Sequence, residues 1–203
     1  MKLMLASGNL GKLAELEHGL GVFGLELIGQ ATLGIEGAQE TAPTFIENAL
    51  LKARHASAAS GLPALADDSG LIVDALDGRP GLHSARYAGR HGDHGANTEK
   101  LLGELDALDE TARGAHFYAV LVLLASPDDP APLVAEGLWH GRILRAARGS
   151  GGFGYDPVFF DPALGLGAAE LDPATKHRVS HRGKALTALG AALPAWLARH
   201  SRR

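Results

Sequence analysis

The chain has 203 residues, 46% of them apolar and 21% charged, which is the balance of a folded globular protein with one sizeable core. Lys plus Arg number 19 and Asp plus Glu 23, a net charge of −4 that argues against a nucleic-acid coat or a polybasic membrane anchor. Cysteine is absent, so the chain offers no disulfide, thiolate metal ligand or cysteine nucleophile.

The run Leu3–Ala6 is too short for a signal-peptide core, and reads instead as a buried strand. The segment from about Leu10 to Leu20 reads as a helix, followed by a strand at Leu25–Ile28. A second helix is predicted over 45–58. Thr44 and Glu47 fit a capping box there, and Phe45, Ile46, Ala49, Leu50, Ala53 and Ala56 fall on one face. Two short strands, Ala64–Ala66 and Leu71–Val73, are expected on either side of Asp67-Asp68-Ser69-Gly70, and Asp77–Gly81 is a turn by composition. A further amphipathic helix is expected from Thr98 to Leu108. The apolar run from His116 to Ala125 suits a central strand, and Leu133–Leu144 returns beside it as a long hairpin. The longest aliphatic stretch, Ala119–Ala125, falls far short of the roughly 20 residues that span a bilayer. A soluble, cytoplasmic protein without membrane or nucleic-acid partners is therefore expected. Val158–Phe160 is another strand, and a C-terminal helix begins near Ser180 with a kink or restart at Pro194. Interleaved strands and helices with one hairpin predict a single α/β domain over 1–203 with a mixed sheet.

Four groups of residues carry candidate chemistry. Ser7-Gly8-Asn9-Leu10-Gly11-Lys12 lies between strand and helix, where free N–H groups, glycines and a lysine suit a phosphate. It lacks full P-loop spacing, and a tight turn with a surface lysine is an equal reading. Gly149–Gly154 matches G-x-G-x-x-G, but a strand rather than a helix follows, which disfavours a dinucleotide fold. What remains is a glycine loop displaying Phe153, Tyr155 and Asp156, suited to a base sandwich or to plain packing. Glu40, Asp67 and Asp68 are hard oxygen donors of the kind Mg²⁺ takes alongside substrate phosphates. Neighbours in a strand point to opposite faces, so only one of the two aspartates can serve a given site; the other is expected to cap or brace a turn. The fourth group is basic: Lys52, Lys176, His181 and Arg182. Lys52 falls at the edge of the buried stripe of its helix, a costly place for an unpaired ammonium. Arg182 opens the last helix, where a cation needs an anion or carbonyl to offset the dipole.

Six segments occur in a fixed order: Ser7-x-Asn9-x-x-Lys12, Thr44-Phe45-Ile46-Glu47-Asn48-Ala49-x-x-Lys52-Ala53, Asp67-Asp68-Ser69-Gly70-Leu71, Pro80-Gly81-x-x-Ser84-Ala85-Arg86-Tyr87, Gly151-Gly152-Phe153-Gly154-Tyr155-Asp156-Pro157 and Ser180-His181-Arg182. In these the chain resembles the inosine triphosphate pyrophosphatase family, RdgB type, from about Leu3 to Leu197. The resemblance implies hydrolysis of ITP, dITP and XTP to the monophosphate and pyrophosphate, Mg²⁺ dependence, and a homodimer. It also implies an elongated mixed α/β sheet with flanking helices forming two lobes around a central cleft. By position, Asp68 takes the catalytic acidic role and, with Glu40, the metal. Ser7, Gly8, Asn9, Leu10, Gly11, Lys12 and Lys52 would hold the triphosphate, and Ser69 would touch substrate. Phe153, Gly154, Tyr155, Asp156, Lys176, His181 and Arg182 would surround the base, His181 and Arg182 donating to its 6-oxo group. Ala42 stands where the family pattern has glycine. A pyrophosphatase for other modified nucleotides, or a nucleotide sensor on the same fold, are the alternatives.

Overall fold

The computed structural model describes residues 1–7 and 10–200. Seven strands form one mixed sheet in the order β2-β1-β3-β4-β5-β6-β7: β1 (Lys2–Ala6), β2 (Glu26–Gly29), β3 (Ala64–Val73), β4 (Gly114–Leu124), β5 (Leu133–Ile143), β6 (Phe159–Asp161) and β7 (Leu166–Gly167). Five α-helices accompany it: α1 (Leu10–Leu20), α2 (Phe45–Ser60), α3 (His94–Glu104), α4 (Pro173–Val179) and α5 (His181–His200). β1 pairs in parallel with β2 (Met4 beside Ile28) and with β3 (Leu5 beside Leu65), the helical crossovers being α1 and α2. β6 runs antiparallel to both β5 and β7. The connector 125–132 between neighbours β4 and β5 is too short for a parallel crossover, so those two form the expected hairpin.

The chain divides into two compact units. The first comprises Met1–Asp68, Ala119–Gly137 and His181–Arg203. Its core takes Leu3 and Leu5 from β1, Leu65 from β3 and Ala119, Leu121 and Leu123 from β4. Against these lie Leu16 and Leu20 of α1 and Leu186, Leu189, Leu193 and Trp196 of α5. The odd-numbered residues of three strands thus face α1 and α5, as the two-residue period of a strand requires. The second unit, Ser69–Tyr118 and Leu138–Ser180, has its own core of Leu71, Val73, Leu101, Leu105, Phe117, Trp139, Tyr155 and Phe159. Trp139 satisfies its indole N–H on Asp161, at 2.7 Å.

Four expectations are corrected. The Asp67-Asp68-Ser69-Gly70 segment is no turn between two strands: β3 runs through it unbroken, because its charges find buried partners rather than solvent. α3 starts at His94 and not Thr98, since the Asp93 carboxylate caps Ala96 N at 3.1 Å, and it ends at Glu104. α5 passes through Pro194 without restarting. Ile46 is exposed rather than part of the buried α2 stripe, whose buried members are Asn48, Ala49, Ala53, Ala56 and Ser57. The Thr44 cap holds as read, its Oγ1 accepting from Glu47 N and donating to the Glu47 carboxylate.

In the first unit α5 begins hard against β5: a Cβ on Gly137 would lie 2.0 Å from His181 O and 2.6 Å from Ala185 N. Gly137→Ala is therefore expected to lower stability by about 1–3 kcal/mol or more, the scale of overpacking against backbone. Gly103→Ala, in α3 with nothing near its Cβ position, should raise stability by about 0.5–1 kcal/mol. Denaturant midpoints of the two variants check both signs.

Candidate active site

Period-two geometry sends Asp67 and Asp68 to opposite faces of β3, and each meets its own cations. Asp67 continues the face of Leu65, toward α1 and α5. Its Oδ1 lies 2.7 Å from Lys12 Nζ in the first turn of α1, and its Oδ2 accepts from Arg182 Nε in the first turn of α5 at 3.0 Å. Arg182 Nη1 donates in turn to Glu15 of α1. Burial alone would raise the Asp67 carboxyl, but Arg182 and Lys12 reverse this and hold it well below the usual carboxylate range. Asp67 thus braces an ion cluster, not the turn that was expected of the second aspartate.

On the other face Lys52 Nζ bridges Asp68 Oδ1 at 3.0 Å and Glu40 Oε1 at 2.7 Å. Lys52 is where its helical position predicts, largely buried and paired. Burial opposes its charge, but Asp68 and Glu40 outweigh that and its pKa is raised. Burial also pushes the Asp68 carboxyl up; Lys52 and Lys12 pull it down without reversing the shift, and the Glu40 charge adds to it. Asp68 Oδ2 is buried with no hydrogen-bond partner among the described residues. The loop carrying Glu40 is held by Asn48, which accepts from Ala42 N at 2.9 Å and donates to Ala42 O at 3.1 Å. His55 adds a contact to Glu36 O at 2.9 Å.

Gly8 and Asn9 lie outside the described residues. Ser7 follows the end of β1, and Leu10, Gly11 and Lys12 open α1. No group of three or more His, Cys, Asp or Glu among the described residues is arranged to hold a metal by itself. Two carboxylates, one with an unpartnered buried oxygen, nevertheless fit Mg²⁺, which takes one or two carboxylates and completes its shell with phosphates and water.

Phe153, Gly154, Tyr155, Asp156 and Lys176 belong to the second unit. Asp156 is their hub: Oδ2 accepts from Phe153 N at 2.7 Å and from Lys176 Nζ at 2.6 Å. Gly152, with φ +74°, is required, because a Cβ there would sit 2.1 Å from that same oxygen. Lys176 Nζ stands 5.1 Å from the centre of the half-buried Phe153 ring. Tyr155 is not displayed as expected. It is buried, its hydroxyl donates to Ser84 O at 3.0 Å, and burial raises its pKa. Ser69 begins this unit in the middle of β3.

Arg182 opens α5 as expected, with Nε and Nη1 already engaged. Its guanidinium is buried against Asp67 and Glu15, the anions whose need its helix position announced. Sequence reasoning missed Glu15, Asn48 and α4. The signals were present: Glu15 stands three residues from Lys12 on one helix face, and Asp172-Pro173 is a capping start for α4, with Asp172 accepting from Thr175 N at 2.9 Å.

A mixed α/β sheet carries the carboxylate–lysine cluster on its third strand, and the chain belongs to the Ham1 family, whose model matches residues 3–192. The resemblance drawn from the six ordered motifs holds. A relative from Xanthomonas campestris pv. campestris (strain 8004), named dITP/XTP pyrophosphatase, is 59% identical over 92% of this chain and 94% of its own length. One of the same name from Erwinia tasmaniensis is 56% identical, over 93% of this chain and 92% of its own. The solved structure of a HAM1 protein from Coxiella burnetii is similar at 45% identity and TM-score 0.90, covering 96% of this chain and 99% of that one. No helix among the described residues is long and apolar enough to cross a membrane.

The Asp67 pairing sets a pH dependence. A carboxyl whose folded pKa is depressed stabilises the fold above its unfolded value of 3.8, and that contribution is lost as pH falls toward the folded value. Asp67→Asn should cost about 3–5 kcal/mol at neutral pH, as for any buried pair broken on one side. The gap in Tm between wild type and Asp67→Asn should close between roughly pH 5 and pH 2. Thermal melts across that range check it.

Proposed function

We propose that the protein hydrolyses non-standard purine nucleoside triphosphates, ITP, dITP and XTP, to the monophosphate and pyrophosphate, as a Mg²⁺-dependent cytoplasmic homodimer that cleanses the nucleotide pool. The names of the relatives support the reaction. The observation that carries the reading is the Glu40–Lys52–Asp68 cluster, with its raised Asp68 pKa and buried, unpartnered Oδ2.

Attack of water at the α-phosphorus needs a base, and places to hold the growing negative charge. Asp68 is the base: its carboxyl sits closer to neutrality than a solvated aspartate, so it can take the proton of the attacking water and hold it. Glu40 and Asp68 are the residues that would hold Mg²⁺; when bound, the ion lowers the pKa of water and screens phosphate charge. Lys12 and Lys52 hold the β- and γ-phosphates, the first from the start of α1, where the helix dipole also favours an anion. Ser7, Gly8, Asn9, Leu10, Gly11 and Ser69 complete the substrate contacts of this reading. For the base, Phe153 offers an aromatic face and Lys176 an ammonium that only donates. A 6-oxo group accepts from such a donor. Adenine places an amino group there and would leave it unpaired, a penalty of about 1–3 kcal/mol. His181 and Arg182 stay in the reading as further donors to the same group.

Pyrophosphate release tests the proposal. Activity is expected on ITP, XTP and dITP, weak activity on ATP, and none on any substrate without Mg²⁺. Asp68→Asn should lose about 10²–10⁴ in turnover, the scale of a positioned general base. Near-full activity in Asp68→Asn would refute its role, and orthophosphate as the product would refute the reaction.

The two lysines give a separate expectation. Lys12→Ala and Lys52→Ala should each weaken ITP far more than inosine monophosphate, which lacks the phosphates they meet. Equal losses on both ligands, by calorimetry, would move the lysines out of the phosphate site.

A further inference from the structure

We infer that His116 of β4 and His140 of β5 form a two-histidine site for Zn²⁺ or a similar imidazole-seeking divalent cation. The pair belongs to the second unit, on the face of the two strands that turns away from its core. The inference stands independently of the proposed reaction and uses neither Glu40 nor Asp68.

The strand register brings the two rings together. Ile143 N donates to Arg113 O at 2.9 Å, at the end of the β4–β5 pair. Counted inward from that bond, His116 stands opposite His140, and Phe117 opposite Trp139. The rings agree with this register. Phe117 and Trp139 lie 6.1 Å apart on the core face, and the two imidazoles 5.4 Å apart on the other. Alternation along an antiparallel ladder makes His116 and His140 a non-hydrogen-bonded pair, the kind whose side chains approach most closely.

Two histidines set opposite each other repel when both are protonated. Burial, with the facing His140, holds the half-buried His116 below the usual imidazole range, against the opposite pull of Asp74. The neutral ring that results is the form that binds metal. With Zn–N bonds of about 2.0–2.1 Å and a tetrahedral angle, two imidazoles on one ion have their centres about 5 Å apart. The observed 5.4 Å fits that spacing. An anion stands on the same side. A Cβ on Gly114, two residues before His116, would lie 2.7 Å from Asp74 Oδ2, so the missing side chain leaves room for a carboxylate over β4. That charge offsets part of what a dication brings. Imidazole nitrogen suits Zn²⁺, Cu²⁺ and Ni²⁺, whereas Mg²⁺ prefers oxygen. Two protein ligands leave the remaining positions to water, which makes an open, exchanging site rather than a closed structural one.

Zn²⁺ titration by calorimetry tests the site, with excess Mg²⁺ present to occupy the carboxylates and NMR of the histidine rings alongside. One ion per chain is expected at micromolar Zn²⁺, moving the ring signals of His116 and His140 together. His116→Asn and His140→Asn should each weaken that ion by at least about 10-fold. If His116→Asn does not fold, the exposed His140→Asn and the joint movement of the two ring signals decide. Micromolar binding that survives His140→Asn would overturn the inference, as would ring signals that respond at different Zn²⁺ levels. Half-saturation only at millimolar Zn²⁺, shared with the other histidines, would overturn it too.

Discussion

Two adjacent aspartates in an extended strand cannot share a face, and the charged interior of this protein is organised around that constraint at Asp67 and Asp68. The side toward α1 and α5 supplies Asp67 with two cations fixed by other anions, so it stays ionised and inert. The side toward α2 gives Asp68 one lysine, shared with a second carboxylate, and its pKa rises. Identical side chains one residue apart are thereby pushed in opposite directions, which is how a site separates a structural carboxylate from one that can accept a proton. The other charged members of the cluster follow from this choice: Lys12 and Arg182 pair with Asp67, and Glu15 with Arg182, while Lys52 pairs with Asp68 and Glu40 with Lys52.

The glycine-rich loop of the second unit shows the same economy of means. One carboxylate oxygen of Asp156 fixes both the Phe153 backbone and the Lys176 ammonium. The aromatic face and the donor are therefore set at a defined separation by a group that need not contact a ligand at all. Gly152 is part of that arrangement for a steric reason, its missing Cβ being the space the Asp156 oxygen occupies.

Much of this was legible in the amino-acid order. The α2 stripe and its Thr44 cap, the β4–β5 pair, the partnered Lys52 and the opposed aspartates all follow from periodicity and from the cost of burying charge. What escaped was set by tertiary partners. Asp-Asp-Ser-Gly has the composition of a turn, and only the buried cations from α1, α2 and α5 keep it in a strand. Tyr155 on a glycine loop looks displayed until Ser84 O, far away in the chain, accepts its hydroxyl. The anion that Arg182 needs at a helix start is named only when Glu15 and Asp67 are brought to it. In each case the deciding contact lies at long sequence separation, which single-chain patterns do not encode.

The division into two units has a consequence for synthesis. The first unit is assembled from three stretches, and its core is closed by Leu186, Leu189, Leu193 and Trp196 of α5. The parallel strands β1, β2 and β3 are made long before α5, so α1 is their only helical cover on that apolar face, among the described residues, until residues beyond 181 are made. The second unit is completed by Ser180, before α5 exists. The unit that begins earlier in the chain is thus the later of the two to have all its residues made. A segment made late thus seals one made early, and until then a nascent chain carries part of its hydrophobic surface open.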